Sequence, residues 1–244
     1  MTDKMVLPSI TAEQMGRVDR IMVDELGLDV LQLMELAGRA VAGFARSRFL
    51  GGDPRGRRVV VLAGSGGNGG DGLVAARLLR GWGASVEVRL SHPPDRLRGA
   101  ARHQHRILEA LGIGPVRPPA ADEPPALPPA DLLIDALLGF GLSGAPTGVA
   151  AALIRAVNVH PAPVLAVDLP SGLDATRGEP FDPCVRADAT LTLALPKIGL
   201  LAPAAREWVG ELHVADIGVP ETAYARLGMV VGPVFAEREI VRIG

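Results

Sequence analysis

Residues 58–80 read RVVVLAGSGGNGGDGLVAARLLR, and the interpretation of the whole chain starts from this stretch. The apolar run at residues 59–63 is short, rich in valine and followed by glycine, which is typical of a strand buried on both faces. From Leu73 to Arg80 apolar residues recur every three or four positions, which predicts a helix. Residues 64–72 between them contain six glycines. The stretch therefore predicts a strand, a glycine-rich turn and a helix.

The glycine-rich turn is a candidate binding site for an anionic ligand. Gly64, Gly66 and Gly69 match the dinucleotide-binding pattern G-x-G-x-x-G, and the amides at a helix start favour phosphate groups. A tight turn without a ligand explains the same glycines equally well. The lysine and hydroxyl of a phosphate-binding loop are missing after Gly72, and the second predicted strand offers Arg89 in place of the ribose-binding acid. Nucleoside triphosphate chemistry and an ordinary nicotinamide dehydrogenase are both disfavoured.

The rest of the chain alternates between helical and strand patterns. A capping box of Thr11 and Gln14 opens the first helix. Further helices are predicted at residues 28–48, 96–111 and 148–157, and further strands at 85–90, 131–136, 164–168, 189–194 and 212–215. Seven prolines in residues 112–129 predict an extended surface connection. This alternation predicts a Rossmann-like, doubly wound α/β fold with a mostly parallel sheet and helices on both faces, in three layers.

Length and composition bound the organisation and the class of function. The 244 residues form one predicted domain, with a core at about 11–218 and with 219–244 as a tail or the remnant of a linker. A net charge of −2 and an aromatic content of 3% argue against a nucleic-acid partner. Cys184 is the single cysteine, so no internal disulfide forms. Without a long apolar segment or a signal-type N-terminus, we expect a cytoplasmic protein with no membrane partner.

The polar residues that could carry chemistry lie at or just beyond the carboxyl ends of predicted strands. Because the carboxyl ends of parallel strands share one edge of a sheet, we expect these residues to gather there. Aspartates in such positions also serve as turn formers, and a lysine there is equally compatible with a solvated surface. The residues concerned are Asn68, Asp71, Asp135, Asp168, Ser171 and Lys197.

The second predicted helix, at residues 28–48, carries apolar residues around much of its circumference. Leu31, Met34, Leu36, Val41 and Phe44 lie on several of its faces. One contact face does not require so much apolar surface. The helix is therefore either deeply buried or shared with a second copy in a homodimer.

Five motifs in order resemble the YjeF N-terminal domain family, the NAD(P)H-hydrate epimerases. The resemblance extends from about Thr11 to about Gly218. The motifs are LMELAG at 33–38, GGNGGDGLVAAR at 66–77, IDALLGFGL at 134–142, VDLPSGLD at 167–174 and ALPKIG at 194–199.

The resemblance implies an isomerase of cofactor repair. Its substrate is hydrated nicotinamide cofactor, NADHX or NADPHX, whose R form becomes the S form that a partner dehydratase repairs. That dehydratase would be encoded separately or lie in a domain missing from this chain. Two alternatives remain: a catalytically weak nucleotide-binding or interaction protein of the same fold, and an unrelated flavin or nicotinamide oxidoreductase.

The resemblance also implies the site residues. One potassium ion per subunit is held by Asn68, Asp135 and Ser171, whose oxygen donors suit a hard cation. We assign Asp168 as the acid/base group, with Lys197 as a further candidate. The usual loop has asparagine at the position of Gly67, so one side-chain hydrogen-bonding group is missing here. The residues implied to bind substrate are Gly67, Asn68, Gly69, Gly70, Asp71, Gly139, Phe140, Gly141, Leu142, Ser143, Gly144, Ala145 and Asp168.

Overall fold

A computed structural model describes residues 7–116 and 125–243. One seven-stranded sheet, in the order β2-β1-β3-β4-β5-β6-β7, forms its centre. Strands β1 to β6 are parallel, and β7 is antiparallel to β6. The strands are β1 Arg58–Ala63, β2 Ser85–Leu90, β3 Leu132–Ala136, β4 Val164–Val167, β5 Ala189–Leu193, β6 Glu211–Ala215 and β7 Ile240–Ile243.

Helices cover both faces of the sheet. They are α1 Ala12–Arg20, α2 Val30–Arg48, α3 Gly67–Gly81, α4 Gly99–Ala110, α5 Gly148–Asn158, α6 Arg206–Val209 and α7 Glu221–Ala225. A π-helical segment, Ile21–Glu25, continues α1. Short 3₁₀ turns occur at Pro94–Arg96, Ile198–Leu201 and Pro203–Ala205. No helix of the described residues has the length and apolar character that a membrane crossing requires.

The residues of β1 explain why the sheet needs a layer on each side. Val59, Val61 and Ala63 pack into one hydrophobic cluster, with residues of α1 to α4. Val60 and Leu62 point to the other face and pack with Leu153 and neighbours of α5. Because successive side chains of a strand alternate between faces, the continuous apolar run fills two cores at once. The predicted three-layer α/β architecture is confirmed.

The helix boundaries confirm most of the local predictions. Thr11 caps α1, accepting from the Gln14 amide at 3.0 Å while the Gln14 side chain accepts from the Thr11 amide at 2.9 Å. Helix α3 begins earlier than its apolar periodicity indicated, at Gly67, so most of the glycine-rich segment is helical. Of the proline-rich connection predicted at 112–129, residues 117–124 lie outside the described residues.

The segment after residue 218 is part of the fold, which corrects its interpretation as a tail. Helix α7 buries Ala223 and Tyr224, and Val231 and Val234 are also buried in the main core. Strand β7 pairs with β6 along four residues, from Leu212 opposite Ile243 to Ala215 opposite Ile240. The strand was missed because it is short and half-exposed, and such a strand has little apolar signal.

The sheet order places a switch point between β1 and β3. After β1 the chain moves to β2 on one side, and it then crosses to β3 on the other side of β1. The connections leaving β1 and β3 therefore diverge. A crevice opens at such a point, outside the carboxyl ends of the strands, and is the usual ligand site of this class of sheet.

Candidate functional site

A cleft of about 700 Å³ lies at this switch point. It is bounded by α1, α2, the start of α3 and the segments that follow strands β1 to β6. Ten of the residues implied by the sequence line it: Gly67, Asn68, Asp71, Gly139, Phe140, Gly141, Leu142, Ser143, Asp168 and Lys197. The tertiary structure thus brings together residues from four strand exits, as the parallel topology predicted.

Four of the residues implied to bind substrate do not line the cleft, namely Gly69, Gly70, Gly144 and Ala145. Gly70 already donates its amide to the Gly66 carbonyl at 3.1 Å, which removes that amide from the donors open to a ligand. The amides of residues 67–69 belong to the first turn of α3, where a helix has no internal acceptor for them. Amides in this position are suited to donate hydrogen bonds to an anion.

The glycines of the turn serve two different purposes. A Cβ added at Gly64 would stand 1.9 Å from the Leu137 carbonyl oxygen, and one at Gly69 would stand 2.0 Å from the Gly64 carbonyl oxygen. A Cβ added at Gly72 would stand 2.5 Å from the Ala136 Cβ. An added Cβ would meet no atom within 4 Å at Gly66 or at Gly67, and both of these glycines line the cleft. Three of the six glycines therefore permit close packing of β1, β3 and α3, a fourth, Gly70, packs against Met34 of α2, and Gly66 and Gly67 line the cleft.

A buried ion pair forms the floor of the cleft. Lys197 is 1% exposed and Asp168 is 4% exposed, and the lysine ammonium donates to Oδ1 of Asp168. The same oxygen accepts from the Thr192 hydroxyl and from the Leu193 amide, each at 3.1 Å. Lys197 also donates to the Leu193 carbonyl at 3.0 Å. The alternative of a solvated surface lysine is thereby excluded, and Oδ2 of Asp168 has none of these contacts.

Strained backbone holds this pair in place. Asp168 has φ of 65° and Ala194 has φ of 67°, both in the left-handed region that is uncommon for residues other than glycine. Each is the centre of a three-residue turn: the Leu169 amide donates to the Val167 carbonyl at 2.8 Å and the Leu195 amide to the Leu193 carbonyl at 2.9 Å. Such positions cost about 1 to 3 kcal/mol each and concentrate at functional sites. The turns direct the ends of β4 and β5 toward the cleft.

Asp135 and Ser171 form a buried polar pair at the carboxyl ends of β3 and β4. Both Asp135 and Ser171 are 0% exposed. The Ser171 hydroxyl donates to Oδ1 of Asp135 at 2.6 Å, its amide donates to Oδ2 at 2.8 Å, and the Leu138 amide donates to the Ser171 hydroxyl at 2.9 Å. Burial raises the pKa of Asp135 to about 6, against the effect of these hydrogen bonds. A cation nearby would favour the ionised carboxylate.

Asn68 has unsatisfied hydrogen-bonding atoms within the described structure. Its Oδ1 and Nδ2 are both buried, and neither has a partner among the described residues. It adjoins the β3 exit, because a Cβ at Gly139 would stand 3.3 Å from the Asn68 Cβ. A buried amide is costly unless a water, an ion or a ligand supplies the partners that the protein does not. The side chains of Asn68, Asp135 and Ser171 all carry oxygen atoms, the kind of ligand that a hard monovalent or divalent cation prefers.

Two further carboxylates lie in the cleft. Burial, and then the charges of Asp168 and Asp19, raise the pKa of Asp71 well above its ordinary value. Burial raises the pKa of Asp19 to about 6, although Lys197 acts in the opposite direction. Three carboxylates thus surround one lysine. Their mutual repulsion and partial desolvation favour the neutral form of at least one of them.

The sequence interpretation missed several residues of the cleft. Asp19 has a recognisable signal: it falls in the apolar stripe of α1, with Met15, Val18 and Met22 at helical spacing. Arg98 and His92 lie in the segment after β2, where dinucleotide-binding sheets hold their ribose or phosphate contacts. The Arg98 amide donates to the Ser65 carbonyl at 3.0 Å, which fixes this segment beside the glycine-rich turn.

The comparisons with known proteins agree with one another. Residues 30–199 match the family described as YjeF-related protein N-terminus. An NAD(P)H-hydrate epimerase from Dehalogenimonas lykanthroporepellens is 40% identical over 90% of this chain and 86% of its own length. A bifunctional NAD(P)H-hydrate repair enzyme from Moorella thermoacetica is 41% identical over 88% of this chain. The chain spans 41% of the length of that bifunctional relative.

A solved structure shows the same fold. The crystal structure of the yeast protein YNL200c superposes with a TM-score of 0.80, covering 97% of this chain and 100% of that one. The two sequences are 23% identical, so this likeness concerns the fold alone.

Proposed function

The chain belongs to the YjeF-related protein N-terminus family, and from this membership we propose that it is an NAD(P)H-hydrate epimerase, an isomerase that interconverts the R and S forms of NADHX or NADPHX. The observation that carries the proposal is the cleft itself. It joins an anion-binding helix start to a buried acid/base pair, Asp168 and Lys197, at the switch point of the sheet. In this proposal the pyrophosphate of the substrate lies at the helix start, and its reactive ring lies next to Asp168 and Lys197.

The helix start of α3 binds the pyrophosphate in this proposal. The free amides of residues 67–69 donate to phosphate oxygens, and the open space at Gly66 and Gly67 lets the phosphates approach the backbone. Arg98 and His92 add cationic or hydrogen-bonding groups at the neighbouring wall. The Ser91 hydroxyl, at 2.8 Å from Nδ1 of His92, orients that ring.

The chemistry takes place at a carbon that bears a hydroxyl and adjoins the ring nitrogen. Its configuration inverts when the hydroxyl leaves as water and water returns to the other face. Asp168 activates the entering water as a general base, because three donors on Oδ1 stabilise its carboxylate and leave Oδ2 for the reaction. Lys197 positions that carboxylate.

A direct test of the function is the conversion of purified R-NADHX into the S form, followed by chromatographic separation of the two epimers. We expect an accelerated approach to equilibrium compared with buffer alone. Binding of the substrate without acceleration would instead support the alternative of a catalytically weak nucleotide-binding or interaction protein of the same fold. An absorbance spectrum without flavin bands is expected as well.

We further propose one potassium ion per subunit, held by Asn68, Asp135 and Ser171. The orphaned Oδ1 of Asn68 and the fully buried carboxylate of Asp135 support this assignment. When bound, the ion supplies positive charge that keeps Asp135 ionised and orders the segments after β1 and β3.

Potassium is expected to raise the melting temperature, because an ion that binds only the folded state stabilises it. At ten times its dissociation constant the gain is about 1.4 kcal/mol, or roughly 3 to 6 °C for a chain of this size. Differential scanning fluorimetry in potassium chloride, with choline chloride at equal ionic strength as the reference, measures this shift. Asp135→Asn should abolish this shift. If the variant keeps the full potassium-dependent shift, the ion binds at another place.

We also propose a homodimer, but over a smaller surface than the sequence indicated. Most of the apolar circumference of α2 is buried in its own core, including Met34, Val41 and Phe44. Val30 and Leu36 remain, at 45% and 46% exposed. A dehydratase, as a separate chain or a further domain, is the proposed functional partner, and the cytoplasm is the proposed compartment.

Leu36→Asp is expected to convert the dimer into a monomer at micromolar concentration, since a charge at the centre of an apolar contact is costly to desolvate. Sedimentation velocity measures the change. Val159→Asp is the matched control, because Val159 is 84% exposed and lies beyond α5. A wild-type protein that sediments only as a monomer would contradict the dimer.

A further inference from the structure

Helix α1 is attached directly to the segment that contains Lys197. The Ile10 amide donates to the Pro196 carbonyl and the Ile198 amide donates to the Ile10 carbonyl, each at 3.0 Å. Ile10 and Lys197 form an isolated parallel bridge. The attachment fixes the register of α1 against the cleft. Helix α1 therefore belongs to the site, although it precedes residues 30–199, which match the family.

The attached helix presents one carboxylate to the cleft. Met15 and Val18 are buried on its inner face, and Asp19, in the same stripe, lines the cleft together with Asp71, Asp168 and Lys197. Within the described residues, no protein group hydrogen-bonds to the Asp19 carboxylate. A carboxylic acid on an apolar helix face that lines a ligand cavity and lacks a hydrogen-bonding partner in the protein is a candidate functional group.

We propose that Asp19 is a second catalytic acid/base residue of the epimerisation, paired with Asp168 on the same substrate carbon. The inference rests on the proposed function of the cleft. Oδ1 of Asp168 accepts hydrogen bonds from three donors, so Asp168 acts as the ionised general base. Asp19 has no such donors and acts as the acid.

The step balances with these two groups alone. The ring nitrogen lone pair forms a double bond to the reacting carbon while the carbon–oxygen bond breaks. The leaving oxygen takes the proton of Asp19 and departs as water. A water on the opposite face then adds to that carbon, the double-bond electrons return to nitrogen, and Asp168 takes the proton of the entering water. One proton has moved from Asp19 to Asp168, and the reverse reaction returns it.

The charges around Asp19 are consistent with an acid that functions near neutral pH. Lys197 after β5 and Arg20 on its own helix favour the ionised form, and Asp168 after β4 disfavours it. Asp71 on α3 and Tyr224 on α7 also interact electrostatically with the Asp19 carboxylate. Burial is the largest effect and raises the pKa of Asp19 to about 6. The group is therefore protonated below about pH 6 and loses its proton above it.

The test compares Asp19→Asn with the wild type, using R-NADHX and the rate without protein as the baseline. We expect kcat to fall by about 100-fold or more, the loss that is typical when a general acid is removed. KM and the melting temperature should change little, because Asn keeps the shape. In the wild type, kcat/KM should decline as the pH rises above about 6, and this decline should be absent from the residual activity of the variant.

Two further variants complete the experiment. Asp19→Glu should recover part of the rate, since it restores the acid with a longer reach. Asp24→Asn, a change of an exposed carboxylate in the π-helical continuation of α1, should behave as the wild type. Asp19→Asn with the wild-type kcat and pH profile, or with a loss confined to KM or stability, overturns the inference. If the wild-type protein itself does not interconvert the epimers, the proposed function fails, and the inference with it.

Discussion

Asp168→Asn is expected to lower kcat for NADHX by about 10²- to 10⁴-fold, because it removes the general base while the cleft stays in place. Asparagine tolerates the left-handed backbone that Asp168 adopts, so the turn itself survives the change. The substitution also leaves Lys197, which is 1% exposed, without its charged partner. Removing one member of a buried pair costs about 3 to 5 kcal/mol. The variant should therefore lose both rate and stability.

A double variant separates the two losses. Lys197→Met in the Asp168→Asn background removes the uncompensated charge, so part of the stability should return while the rate stays low. The matched control is the exposed pair Arg186 and Glu207, whose side chains are 60% and 61% exposed. Breaking that pair with Glu207→Gln should leave melting temperature and rate within error. Chemical denaturation and epimer separation measure the two quantities, and an Asp168→Asn protein with the wild-type rate would exclude Asp168 as the base.

Gly69→Val is expected to destabilise the protein by more than about 3 kcal/mol, above the usual range for overpacking. Its Cβ would stand 2.0 Å from the Gly64 carbonyl oxygen and 2.6 Å from the Gly64 carbonyl carbon. Both are backbone atoms at the exit of β1, and they cannot move without breaking the junction of β1 and α3. The resemblance implied that Gly69 binds substrate, whereas the structure packs this glycine against the Gly64 backbone.

Gly67→Val is the matched control for that prediction. Gly67 lines the cleft and has no atom within 4 Å of an added Cβ. The variant should fold with nearly the wild-type melting temperature but bind the dinucleotide about 100-fold more weakly, if roughly 3 kcal/mol of phosphate contact is lost. Calorimetric titration beside thermal denaturation makes the comparison. Equal stability of the two variants would refute the packing role of Gly69.

The layers of this protein, and the edge of the sheet at which its chemistry lies, could be predicted from the amino-acid sequence. The period of the apolar residues distinguishes strands from helices, and the continuous run in β1 shows that both faces of the sheet are covered. The alternation of elements makes the sheet parallel, so Asn68, Asp135 and Asp168 had to lie at the edge formed by the carboxyl ends of the strands. These features are local, because each is encoded by residues within one element or its boundary.

Which of these residues meet, and what surrounds them, depends on contacts between distant segments. Local periodicity reports that a face is buried, but not what it is buried against. The sequence allowed Lys197 to be either a surface side chain or a site residue, and only its buried contact with Asp168 distinguishes the two. Likewise, only the close approach of the Gly64 backbone shows that Gly69 is required for packing. Asp19 enters the site because Ile10 pairs with Lys197, a contact between residues far apart in the chain. Such contacts are fixed by strand order and by helix docking, and no single segment of the sequence contains them.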